Sequence, residues 1–155
     1  MNEIVGRIAN PTYEGGTMNL SVEQLSAHKP VTVLNIQGEL DGSSSQALIQ
    51  EAKKLYDAGT RYLLLDLSEM NFISSAGLVG LHSVVTVMRG NEAPNMEGGW
   101  SVIHEASHDM TTSAGQESAC KLFNPPPRVQ RTLSMTGFDQ LLEIYTDWET
   151  AVASF

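Results

Sequence analysis

The chain has 155 residues, enough for one domain with its own core, and 41% of them are hydrophobic. Acidic residues outnumber basic ones 18 to 9, giving a formal net charge of −9. That balance opposes phosphate backbones and anionic lipid surfaces, so neither nucleic acid nor membrane is an expected partner.

The lone cysteine, Cys120, excludes an intrachain disulfide and is expected to act as a buried small hydrophobe. Met1 to Asn10 carries Glu3 and Arg7 and lacks the apolar core of a leader. No run approaches the roughly 18 apolar residues of a membrane span. The expectation is a soluble, cytoplasmic protein.

Residues 1–17 contain Pro11, Gly15 and Gly16, show no clear period, and read as an extension. Asn19 to Leu25 alternates loosely and predicts a first strand, with His28-Lys29-Pro30 as the turn after it. Val31 to Ile36 is rich in β-branched residues and predicts a second strand. Glu39-Leu40-Asp41-Gly42 follows, and one of Ser43, Ser44 and Ser45 caps a helix over 44–58. Gly59 stands where that helix ends. Tyr62 to Leu67 is a nearly continuous apolar run, the pattern of a central strand covered on both faces. A second helix is predicted over 75–88, apolar over most of its circumference and so largely buried.

Residues 89–119 differ from what precedes them. Trp100, Val102 and Ile103 form the only local apolar cluster, and the segment reads as an inserted loop. Cys120 to Phe123 predicts a strand. Pro125-Pro126-Pro127 opens a helix over Arg128 to Met135 that closes near Gly137. Leu141 to Tyr145 is a last strand, and Thr146 or Asp147 caps a final helix through Val152. Alternation of this kind predicts an α/β fold.

A strand–helix–strand crossover from Val31–Gly38 to 62–67 makes the two strands parallel. Their C-terminal ends then share one edge of the sheet, with Asp41 following the first and Ser74-Ser75 the second. Ser75 falls at the start of the second helix, where free backbone N–H groups and the positive dipole end favour a phosphate. The plain alternative is an unmodified capping serine, with Asp41 as an ordinary loop residue.

The runs Val31 to Asp41 (VTVLNIQGELD) and Tyr62 to Leu78 (YLLLDLSEMNFISSAGL) resemble the STAS domain, shared by sulfate transporters and anti-sigma factor antagonists. The resemblance covers about 18–88 and 120–155. It implies an N-terminal extension over 1–17 and a STAS domain over 18–155, interrupted by the insert at about 89–119. It implies a mixed β-sheet with helices packed on one face, rather than on both. It also implies a non-catalytic signalling protein without a cofactor. An antagonist binds a kinase-type anti-sigma factor, is phosphorylated on a serine by it and is released, and a serine phosphatase resets the switch. The family motif reads Asp-Ser-Ser-Gly-Leu. Here it reads Ser74-Ser75-Ala76-Gly77-Leu78, so Ser75 matches the phosphoacceptor, Ser74 replaces the aspartate and Ala76 the second serine. Asp41 matches the family's turn aspartate, and Glu39, Ser74, Ala76 and Gly77 are expected near the partner-binding site.

Three rivals stand beside this reading. His104-Glu105-Ala106-Ser107-His108 matches H-E-x-x-H, so His104 and His108 could hold zinc on a helix, but a long apolar helix does not flank them. A serine hydrolase would need the G-x-S-x-G elbow, which Ser75 lacks; His82 is expected on the helix surface or part-buried. A scaffold or ligand-sensing STAS domain would keep the fold without the phosphorylation switch.

Overall fold

The β-branched run at Val31 lies in the longest strand of a mixed sheet. The computed structural model of the chain describes residues 10–26, 29–90 and 117–155. The strands are β1 (Asn10–Glu14), β2 (Met18–Ser26), β3 (Pro30–Leu40), β4 (Leu63–Asp66), β5 (Met70–Ile73), β6 (Glu117–Phe123) and β7 (Leu142–Tyr145). The helices are α1 (Ser45–Asp57), α2 (Ser75–Met88), α3 (Pro127–Thr136), α4 (Phe138–Leu141) and α5 (Trp148–Ala153).

Strand order is β1-β2-β3-β4-β6-β7, with β5 paired to the far end of β3. β1 pairs antiparallel with β2, and β2 antiparallel with β3. β3, β4, β6 and β7 are parallel, and β5 is parallel to β3. Helices follow β3, β5 and β6, as crossovers between parallel strands require, whereas β4 passes directly into β5.

Period-two alternation divides the core between the two sheet faces. Leu34, Ile36, Leu63, Leu65 and Leu122 point to one face, where they meet Leu48 and Ala52 of α1, Leu81 and Val85 of α2, Val129 and Leu133 of α3, and Phe138 of α4. Val31, Val33, Leu64 and Phe123 point to the other, where they meet Trp148 and Ala151 of α5 and the terminal Phe155. The mixed sheet stands as expected, but the expectation that all helices share one face is corrected at α5. Alternating valines and leucines leave an apolar second face, and α5 covers part of it.

Most predicted elements lie within a few residues of the observed ones. Strand β5 was not anticipated: Ser68 to Ile73 reads as a connection because the strand within it has only four residues. Asn10–Glu14 reads as part of an extension yet pairs with β2 as the sheet edge. The last strand begins after a helical turn that takes up Leu141. Gly137 closes α3 at φ 85, the left-handed conformation that favours glycine. Cys120 is buried in the core. His104, Glu105 and His108, with most of the insert, lie outside the described residues, as does His28 of the predicted turn.

Candidate functional site

The site forms where the C-terminal ends of β3 and β5 open into α1 and α2. The chain turns sharply after Leu40, and Asp41 holds that turn. Its Oδ1 accepts from the Ser43 N–H at 2.9 Å, the Ser43 hydroxyl at 2.7 Å and the Ser44 N–H at 3.3 Å. This is the side-chain-to-backbone bonding that makes aspartate a turn former. The Ser43 hydroxyl bond, with those of its backbone and of Ser44 beside it, holds the Asp41 carboxyl below the ordinary aspartate range.

Ser44 is the N-cap of α1 but does not cap it with its side chain. Its hydroxyl turns back to the Glu39 carbonyl at 2.9 Å and accepts from the Asp41 N–H at 3.0 Å. Ser45 is fully buried and links the two halves of the site. Its hydroxyl donates to the Asp41 carbonyl at 2.7 Å and lies 3.1 Å from the Ala76 carbonyl.

The second half is the start of α2. Ser74 is the N-cap; its side chain accepts from the Gly77 N–H at 3.1 Å. The Ser74 N–H donates to the Leu40 carbonyl at 3.0 Å, which ties the cap to the end of β3. Gly77 sits against that same strand end. A Cβ on it would overlap the Leu40 carbonyl oxygen and lie 3.0 Å from Ile73 Cγ1, so only glycine fits. A Cβ on Gly42 would stand 3.5 Å from the Ala76 Cβ. The Asp41 turn and the first turn of α2 are therefore neighbours.

Ser75 is the first residue of α2 and is exposed. Its hydroxyl has no hydrogen-bond partner among the described residues. No acidic residue occupies the first turn of α2, so the N–H groups and dipole there are not offset by a carboxylate of that turn. Ser75 and Ser74 thus differ. Ser75 is free to react at its oxygen, whereas the Ser74 oxygen is engaged in the cap.

The structure brings Asp41, Ser74, Ser75, Ala76 and Gly77 together at one sheet edge. Glu39 lies one pair further down β3, exposed, opposite Phe72 of β5. Two contributors were missed in the sequence. Ser45 was read only as one of three possible caps, and nothing local marks it as the residue that bridges to α2. Phe72 is 42% exposed, one of two large hydrophobic side chains so placed among the described residues. It lies three residues before Ser75, in the strand that was not anticipated.

His82 is buried on α2, seven residues beyond Ser75. That separation is about 10 Å along a helix, too far for it to serve Ser75 as a base. Among the described residues no cluster of His, Cys, Asp or Glu could hold a metal ion, and no described helix is long and apolar enough to cross a membrane.

Residues 23–93 match the STAS domain family model. No curated protein matches the sequence. Among solved structures, an anti-sigma factor antagonist from Mycobacterium paratuberculosis is similar at 22% identity and a TM-score of 0.54, over 86% of this chain and 93% of that one. The anti-sigma factor antagonist SpoIIAA in its unphosphorylated form is similar at 14% identity and a TM-score of 0.49, over 86% of this chain and 97% of that one. The phosphorylated form of the Bacillus cell fate determinant SpoIIAA aligns at 12% identity and a TM-score of 0.46, over 85% and 96%. The first of these likenesses establishes a shared fold.

Proposed function

We propose that this chain, whose residues 23–93 match the STAS domain family model, is an anti-sigma factor antagonist whose partner is a serine kinase and whose switch is phosphorylation of Ser75. The observation that carries this reading is the exposed, unbonded Ser75 hydroxyl at the first position of a long buried helix. The similar M. paratuberculosis structure is of an anti-sigma factor antagonist, which supports the same role here. The chain itself is not a catalyst in this reading, and it works in the cytoplasm.

The chemistry is simple. The Ser75 oxygen attacks the γ-phosphorus of Mg-ATP bound to the kinase, ADP leaves, and the hydroxyl proton passes to a base of the kinase. The product adds roughly 1.5 to 2 negative charges at neutral pH. Free N–H groups at the start of α2 accommodate the phosphate. The Asp41 carboxylate, held ionised by Ser43 and Ser44, stands in the neighbouring turn and makes the modified surface still more negative. A partner surface complementary to the unmodified site is then repelled, and the complex opens. A serine phosphatase restores the hydroxyl.

The test is incubation with Mg-ATP in lysate of the native host, followed by phosphopeptide mass spectrometry beside a Ser75→Ala control. Phosphate on Ser75, absent from the control, is the expected result. An unmodified Ser75, with or without a bound kinase, would favour a scaffold or ligand-sensing STAS domain instead.

A further inference from the structure

We infer that the outward face of α3 is a docking surface for an acidic, partly apolar segment of the kinase that modifies Ser75; this rests on the reading of Ser75 above. Helix α3 lies beside the site. Its inner residues Val129 and Leu133 are buried in the core, and the helix packs against β5, whose last residue Ile73 precedes the Ser74 cap.

The opposite side of α3 carries Arg128, Arg131 and Met135, all exposed. Their spacing of three and four residues gathers them within an arc of about 60° at 100° per residue. That arc points away from Val129 and Leu133. Met135 is 78% exposed, more than Phe72, the other large hydrophobic side chain exposed among the described residues.

The charges are the unusual part. Acids outnumber bases 18 to 9 in this chain, so an arginine has many carboxylates within its own molecule to choose from. Yet neither guanidinium has an ion-pair or hydrogen-bond partner among the described residues. Helix α3 itself contains no Asp or Glu. A local positive stripe thus stands on a negative molecule, with an apolar side chain at its end. Arginine and methionine are enriched at protein–protein interfaces. The complement of this stripe is a pair of carboxylates beside an apolar pocket. Nucleic acid or anionic lipid would also bring negative charge, but an extended polyanion meets the net charge of −9 as well as the stripe. A protein segment touches the stripe alone.

Docking here would hold the kinase against the edge at which Ser75 lies. Charge pairs at such a rim act mainly on the encounter rate and its salt dependence. The experiment measures the initial rate of Ser75 phosphorylation in host lysate with Mg-ATP, at limiting substrate protein and at low and high salt. Arg128→Glu with Arg131→Glu is compared with Arg128→Lys with Arg131→Lys and with Met135→Ser. All three sites are exposed, so thermal midpoints should stay at the wild-type value. The charge reversal should slow phosphorylation about 10-fold at low salt and flatten its salt dependence, while the lysine pair stays within about 3-fold of wild type. Met135→Ser should slow it about 3-fold with the salt dependence kept. A reversed variant modified at the wild-type rate, with the wild-type salt dependence, overturns the docking surface and leaves the Ser75 switch standing. Absence of phosphate on wild-type Ser75 overturns both.

Discussion

Two residues show how tightly the candidate site is specified. Gly77 is held by close approach: any Cβ there meets the carbonyl of Leu40, a backbone atom that cannot swing aside. Gly77→Ala should cost roughly 1–3 kcal/mol, the range for overpacking a filled site, read from urea unfolding. An unchanged unfolding midpoint would show that β3 and α2 are not pressed together as described. Asp41 can be tested by titration. Its folded carboxyl is lowered by the Ser43 and Ser44 bonds, so its contribution to stability is present above the ordinary aspartate value. It is lost as pH falls through the lowered folded value. An NMR titration of the Asp41 carboxyl should give a midpoint below 3.8, the ordinary value, and Ser43→Ala should move it back upward. A wild-type midpoint at or above the ordinary value would mean that the turn is open in solution.

Whole elements depend on fewer anchors than their length suggests. Helix α5 has only six residues and covers part of the second sheet face. A helix this short does not hold by its own backbone bonds. Asp147 caps its start by accepting from the Thr150 N–H at 2.9 Å. Lys121, buried on β6, holds its end: Nζ donates to the Ser154 carbonyl at 2.8 Å and pairs with Glu143 at 3.1 Å. The ammonium lies 4.9 Å from the Phe155 ring centre, a cation–π distance. Lys121→Met keeps most of the volume and removes these bonds, and should lower stability by about 1–3 kcal/mol in urea unfolding. Glu143→Gln should cost less than about 1 kcal/mol, because the carboxylate is partly exposed and screened. Equal losses for both would mean that the ion pair, and not the helix end, is the role of Lys121.

For the molecule as a whole, sequence and tertiary structure decided different things. The sequence determined the elements with strong internal signals. Val31 to Ile36 is β-branched, Leu63 to Leu65 is apolar throughout, and α2 is apolar on most sides, so each can be satisfied only inside a sheet or beneath one. The predicted crossover to a strand over 62–67 places Asp41 and Ser75 at a common edge, but β4 ends at Asp66, opposite Asn35, and it is β5, pairing Ile73 with Leu40, that carries Ser75 to the Asp41 turn. Several features were not legible. Strand β5 has four residues and gains its strand character only from the exposed backbone of β3 beside it. The edge strand β1 takes its register from β2. The bridge from Ser45 to Ala76 joins residues 31 apart, and the free hydroxyl of Ser75 differs from the engaged one of Ser74 because the chain enters α2 from Ile73 with the Ser74 N–H tied to the Leu40 carbonyl. Local periodicity reports what each segment must bury. Which hydroxyl stays free, which glycine has no room and which face a last helix covers are set by contacts between distant segments, and these exist only once the sheet has assembled.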